Sequence, residues 1–396
     1  FTFQLMHHSP FKFLEAYSAQ DKHLFFGRDQ EIETLFNITF RSRFILVYGP
    51  SGTGKTSLIR SGLSKRLSDT DWFSLYIRRK QDINAALREE LSKWDKRPNT
   101  KQMTPPSGAG GLSEQVRYIS LLYLRPVYLL FDQLEELFIS GDAREQYEFL
   151  QNLIELYQSD VPCKIILSMR EEYLAQLYSF EEALPTLFDY RLRVEQMGDE
   201  RIREVIIQTF NALPQVKMEN PETDADAIVE NLKESNKLIQ LPYLQVYLDR
   251  LWNSAAELQK PEIDDEIVSI NKATIDEVGR IDEVLEDYVE EQIAKVQAEI
   301  PDLQDRPGYV HKLLDNFVTS NGTRKNVSLN DFPNDGDKPL RMKALKELEY
   351  RRILLEDNGS YEFFHDSLAG VIFRKRSSEQ KRLYNLIRRL KQAFSD

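Results

Sequence analysis

Gly49-Pro50-Ser51-Gly52-Thr53-Gly54-Lys55-Thr56 has glycines, a lysine and a hydroxyl at the spacing G-x-x-x-x-G-K-[ST], a pattern that holds phosphate. The glycines let the backbone turn tightly, so that successive N–H groups converge on phosphate oxygens. A helix starting there adds about half a positive charge at its N-terminus. Lys55 can reach β- and γ-phosphates, and the Thr56 hydroxyl can ligate Mg²⁺. Gly49, Ser51, Gly52, Thr53, Gly54, Lys55, Thr56 and Ser57 are thus the candidate nucleotide contacts. The flanks are those the motif requires. The apolar run Phe44-Ile45-Leu46-Val47-Tyr48 precedes it, and Leu58, Ile59 and Leu63 follow at helical spacing. These residues imply a bound nucleoside triphosphate or diphosphate.

Further along, the apolar run Val127-Tyr128-Leu129-Leu130-Phe131 ends at Asp132, where a carboxylate can hold Mg²⁺. Gln133-Leu134-Glu135-Glu136 follows, and either glutamate could orient an attacking water. Ser168-Met169-Arg170 ends another apolar run. Arg170 could sense the γ-phosphate or stabilise its developing charge, or it could form an ion pair with Glu171 or Glu172. No Asn-Lys-x-Asp guanine signature follows, which favours adenine. His365 is a lone histidine at a strand end, for which a structural role is the default reading. His7 and His8 have no visible partners for a metal.

Elements that position these residues can be read from hydrophobic spacing. Asp29 reads as an N-cap before a helix bearing Ile32, Leu35 and Phe36. Strands are expected at 44–48, 72–77, 127–131, 164–169 and 190–194, with helices at 83–94, 112–124, 143–157 and 171–178 between them. The proline- and glycine-rich 95–111 reads as a loop. Strands alternating with helices imply a parallel α/β sheet covered on both faces, with ligands at the carboxyl ends of the strands. From about 199 the pattern is helical, at 200–210, 224–233 and 244–252. An acidic amphipathic helix follows at 277–300, with Val278, Ile281, Leu285, Tyr288 and Val289 on one stripe. That stripe could pack internally or form a coiled coil. Helices at 310–317 and 341–350 precede a hairpin at 353–364 with Asn358-Gly359 turn chemistry. Helix, helix and β-wing together give the outline of a winged helix. The second helix dilutes its basic residues with acids, which argues against DNA reading. The chain closes with a basic amphipathic helix at 381–394, suited to connecting a further domain or to touching anionic lipid.

Composition sets outer bounds. The 396 residues carry a net charge of −12, which argues against a general affinity for nucleic acid or anionic membrane. With 41% hydrophobic and 11% aromatic residues, the chain can fill several cores. No run approaches the roughly 20 apolar residues that span a bilayer, and no signal peptide is visible. Cys163 lies in an apolar strand run, and a single cysteine fits a reducing cytosol. The expectation is therefore a cytoplasmic protein, in which the sequons at Asn37 and Asn326 carry no meaning. A chain beginning with Phe1 reads as a segment of something longer.

Six motifs occur in order: Phe26-Gly27-Arg28, Gly49 to Thr56, Asp132-Gln133-Leu134-Glu135-Glu136, Ser168-Met169-Arg170, Leu241-Pro242-Tyr243-Leu244, and Phe364-His365-Asp366-Ser367-Leu368. Together, over roughly residues 9–376, they resemble a STAND-class nucleoside triphosphatase. The likeness is greatest to the bacterial novel STAND group, related to NACHT and NB-ARC proteins. The resemblance implies an α/β P-loop NTPase parallel sheet followed by an all-helical subdomain and a winged-helix domain. Its boundaries would be an N-terminal extension at 1–24, a nucleotide-binding domain at 25–198, a helical domain at 199–306, a winged helix at 307–376 and a basic tail at 377–396. It also implies that Arg28 lies against the base, that Pro242 packs on adenine and that His365 contacts the β-phosphate of ADP. Gln133 stands where many AAA+ ATPases have a catalytic glutamate, so water activation would fall to Glu135 or Glu136, with slow hydrolysis. The family pattern further implies an ADP-held switch that self-associates on exchange for ATP, an unknown trigger, an effector or sensor outside this segment, and a part in bacterial signalling or anti-phage defence. The rival readings are an AAA+ remodeller and an ATP-dependent DNA-binding regulator.

Overall fold

A computed structural model describes residues 9–13, 15–94, 111–233, 239–259, 267–357 and 359–376. His7, His8, the loop after 94, Asn358 and the closing basic helix lie outside the described residues.

The first unit is a five-stranded parallel sheet, β1 (Phe44–Gly49), β2 (Phe73–Arg78), β3 (Val127–Asp132), β4 (Cys163–Arg170) and β5 (Arg191–Arg193), in the order β2-β3-β4-β1-β5. Its central strands β1, β3 and β4 carry long apolar runs because both faces are covered there. Leu46, Leu129, Phe131 and Leu167 enter the core on one side, and Ile45, Val47, Leu130 and Ile166 enter the core on the other. Cys163 is buried in β4, as expected. Helices α1 (Asp29–Arg41), α2 (Lys55–Ser57, which continues as irregular turns to Lys65), α3 (Ile83–Trp94), α4 (Leu112–Tyr123), α5 (Glu135–Ser140) and α6 (Ala143–Gln158) cover these faces. The single helix expected at 171–178 is a short α7 (Leu174–Leu177) between two tighter turns. Register pairs Gly49 with Arg170 and Arg78 with Asp132, so these four residues end their strands along one edge.

The segment after 198 is helical, with α8 (Asp199–Ala212), α9 (Pro221–Leu232), α10 (Leu241–Gln259), α11 (Lys272–Val278), α12 (Ile281–Glu299) and α13 (Pro301–Gln304). One addition amends the all-helical expectation: β6 (Val216–Met218) and β7 (Val268–Ile270) pair in parallel. Each has three residues, too few to show a period of two. The helix expected over 277–300 is interrupted. Gly279 sits at φ +71°, in the left-handed region that favours glycine, and its N–H closes α11 on the Ile275 carbonyl.

The C-terminal unit contains α14 (Tyr309–Asp315), β8 (Val327–Ser328), α15 (Lys338–Tyr350), β9 (Leu354–Asp357), β10 (Ser360–Phe363) and α16 (Asp366–Lys375). The expected hairpin is β9–β10, and β8 extends it to a three-stranded antiparallel sheet. One hydrophobic core runs through the helical and C-terminal units without a break at 306. It also takes in Phe11 and Phe13, whose rings lie 5.6 Å from Phe210 and 4.8 Å from Tyr288. Residues before 25 are thus partly built into the second core. Among the described residues, no helix is long and apolar enough to cross a membrane.

Candidate nucleotide site

The loop from Gly49 to Thr56 bridges the end of β1 and the start of α2. Gly49, at φ +151°, passes so close to β5 that a Cβ there would lie 2.3 Å from the Val194 carbonyl oxygen. Any side chain at this position would force β1 and β5 apart. When the N–H groups of such a loop converge on one side, its carbonyls face the other way and need donors. Arg28 supplies one. Its guanidinium donates to the Thr53 carbonyl at 3.0 Å and the Glu195 carbonyl at 2.7 Å, and pairs with Glu31 at 2.6 Å. At 2% exposed it lies beneath the loop, and it does not line the cavity that opens beyond it. Ser57 faces the N-terminal segment, and its hydroxyl accepts from the Tyr17 N–H at 3.1 Å. Thr53 is buried, with its hydroxyl on the Pro50 carbonyl.

Lys55 donates to the carbonyls of Gly49 and Pro50 at 2.9 and 2.7 Å. Burial pushes its pKa down, while Glu135 and Asp132 oppose that shift. The Thr56 hydroxyl lies 3.0 and 2.9 Å from the two carboxylate oxygens of Asp132, which also accepts from the Tyr76 hydroxyl. A hydroxyl and a carboxylate this close fit Mg²⁺, an ion that takes few protein ligands and completes its shell with phosphate oxygens and water. Among the described residues, no group of three or more His, Cys, Asp or Glu could hold a metal by itself.

Beyond the loop opens a cavity of about 540 Å³, a size suited to a small-molecule ligand. Ser51, Gly52, Gly54, Lys55, Thr56, Asp132, Glu135 and Arg170 line one end. Leu24, Phe25, Met197, Val205 and Leu244 form an apolar stretch, and Arg324, Leu355, Phe364 and His365 bring in the C-terminal unit. Pro242, at the start of α10, sits over the loop. Its Cδ would be 3.4 Å from a Cβ placed on Gly52. His365 caps α16, with Nδ1 accepting from the Ser367 N–H at 3.2 Å, which assigns the neutral ring's proton to Nε2.

A family model described as novel STAND NTPase 1 matches residues 10–395. The chain belongs to that family. No curated protein matches it. Among solved structures, it is similar to the Walker-type ATPase PABY2304 of Pyrococcus abyssi, at 16% identity over 91% of this chain and 99% of that one, with a TM-score of 0.44. It is also similar to the ADP form of the ORC2 protein of Aeropyrum pernix, at 12% identity over 89% and 96% of the two chains, with a TM-score of 0.49.

In this STAND NTPase the two adjacent glutamates face different ways. Glu135 is 4% exposed, lines the cavity, and pairs with Arg170 at 3.1 Å. The sequence did not offer Glu135 as a partner; Arg170 and Glu135 both stand at the carboxyl edge of the sheet, and Glu171 pairs with Arg193. Burial pushes the Glu135 pKa up, while Arg170 and Lys55 pull it back. Glu136 instead joins Arg78 at 3.2 Å and Arg324 at 3.6 Å. Glu362 takes both of the same arginines, Arg324 at 3.3 Å, and Gln133 accepts from Arg324. Gln133 itself stands at φ +55°, a strained position for a side-chain-bearing residue directly after Asp132.

Sequence reasoning missed Tyr17, Tyr76, Arg78, Gln245 and Arg324. Arg78 carried a signal, since it continues the second strand to the edge where Asp132 ends the third. Arg324 lies between elements, where no periodicity marks it. On α15, Arg341 pairs with Asp335 at 2.7 Å and Lys343 with Asp302 at 3.6 Å, and Arg351, just past its end, pairs with Glu299 at 2.6 Å.

Proposed function

We propose that this chain is a nucleotide-operated switch, closed with ADP and opened by exchange for ATP. The observation that carries the reading is the composition of the cavity wall. The phosphate loop, the start of α10 at Pro242 and the C-terminal unit at His365 and Arg324 all line one space. A ligand there would touch every unit and hold them together. Ligand at about a thousand times its dissociation constant stabilises the bound arrangement by roughly 4 kcal/mol. Within this reading the ligand is an adenine nucleotide. Thr56 and Asp132 hold Mg²⁺, which neutralises phosphate charge, and Lys55 binds the β- and γ-phosphates. Pro242 packs on the base, and His365 Nε2–H donates to the β-phosphate. Glu135 orients the attacking water, and Arg170 holds that carboxylate and faces the γ-phosphate. Hydrolysis is slow and resets the switch.

The C-terminal unit acts as a winged-helix clasp in this scheme. The acid-paired cations of α15 weigh against duplex binding. Opening, helped by a trigger bound elsewhere, would free surfaces for self-association in signalling or anti-phage defence.

Denaturing the purified protein and identifying the released nucleotide tests the proposal. Stoichiometric ADP is expected, and its loss in the Lys55→Ala and His365→Ala variants. A nucleotide-free protein that hydrolyses ATP briskly without a trigger would overturn the switch.

A further inference from the structure

The wall of the cavity contains one acceptor that the protein itself does not match. Gln245, one turn after Pro242 on α10, is 9% exposed, lines the cavity, and its Oε1 has no hydrogen-bond partner among the described residues. Its carboxamide stands beside the Tyr17 phenol, which burial keeps neutral by raising its pKa to about 12. Tyr17 is itself anchored. Its backbone N–H donates to Ser57, the residue after Thr56, and its ring lies 5.8 Å from Phe25. The carboxamide therefore lies beside an anchored side chain, at the wall of the cavity and next to the helix that begins at the phosphate loop.

A buried acceptor without a donor costs free energy that a ligand donor can recover. Adenine carries an exocyclic amino donor at position 6, whereas guanine carries a carbonyl oxygen there; hypoxanthine likewise has an oxygen at position 6. We propose that Gln245 selects the base, its Oε1 accepting a hydrogen bond from the exocyclic amine of adenine and opposing the oxygen of 6-oxo purines. This inference rests on the nucleotide reading above and adds to it the residue that chooses the base.

Equilibrium titration with ADP and inosine diphosphate, which differ at the 6 position and in N1 protonation, is the test. Protein freed of bound nucleotide should prefer ADP about tenfold or more, since a site built around a hydrogen bond rejects the ligand that cannot make it. Gln245→Met, similar in length but without the acceptor, should lose most of that preference by weakening ADP and relieving inosine diphosphate. Tyr17→Phe, which removes the hydroxyl beside the carboxamide, should narrow the preference through a different side chain. Equal affinities in the unaltered protein would overturn the inference, as would an unchanged ratio in both variants, even if both ligands bind more weakly. Failure of either ligand to bind, with no difference between the unaltered protein and Lys55→Ala, would overturn the nucleotide reading itself.

Discussion

Glu135 lies 3.1 Å from Arg170 with its carboxylate on the cavity, while Glu136, one residue on, turns toward Arg78 and Arg324. Neighbours on a helix start point about 100° apart, so only one of them can serve a given water. Glu135→Gln is expected to lower phosphate release by about 10²- to 10⁴-fold, the range for losing a positioned proton acceptor. Equilibrium ADP affinity should change little, and a variant with unchanged turnover would remove Glu135 from the chemistry. The pH profile gives a second check. A general base works deprotonated, and burial raises the Glu135 pKa, so the acid limb of hydrolysis should lie above the ordinary glutamate range. Arg170 pulls that pKa down, hence Arg170→Ala should move the limb to higher pH. The sequence left these two glutamates and the partner of Arg170 open, because orientation on a short helix depends on packing that spacing does not encode. It did not show the support that Arg28 gives the loop carbonyls, for a related reason. A motif fixes which residue is near a loop, but not which side of the loop it supports.

At the scale of elements, β1, β3 and β4 were legible because both faces of the sheet are covered and these strands carry long apolar runs, and β2 was legible from its aromatic and aliphatic residues around Ser74. The three-residue β6 and β7 and the two-residue β8 were not, since so few residues show no periodicity. The break between α11 and α12 was hidden by an apolar stripe that spans it. Tyr247 of α10 pins that break. Fully buried, its hydroxyl accepts from Asn231 at 2.8 Å and donates to the Gly279 carbonyl at 2.9 Å. Burial raises its pKa to about 12, so it stays a neutral donor across the physiological range. Tyr247→Phe keeps the ring and leaves that carbonyl without its donor, which should cost about 1–3 kcal/mol. At about 2–4 °C per kcal/mol for a unit of this size, thermal melting should fall by several degrees. A melting temperature within a degree of the parent would show that the hydroxyl does not hold the break.

Across the whole molecule, Arg78 and Glu362 meet although 284 positions separate them, and nothing in the sequence foretells that contact. Their cluster joins the edge of the parallel sheet to the C-terminal unit immediately beside Asp132 and Gln133. Arg324 and Glu362 are 8% and 7% exposed, and Glu136 is 21% exposed, so solvent screens these charges weakly. Removing one partner of such a buried set strands the others and costs about 3–5 kcal/mol. Turning a closed-to-open ratio of 99:1 into 1:99 takes about 5.5 kcal/mol. Loss of one arginine is therefore close to the free energy that the proposed switch needs to open. Arg324→Ala, with ADP in excess, should show a larger radius of gyration in solution scattering and a concentration-dependent rise in mass by light scattering. The unaltered protein should remain compact under the same conditions. Glu362→Gln keeps the side chain's shape and one acceptor, so its shift should have the same direction and a smaller size. If Arg324→Ala matched the parent in both radius and mass, the clasp would have to lie elsewhere than in this cluster. If it unfolded without a compact intermediate, the C-terminal unit would be part of the structural core and not a part that opens.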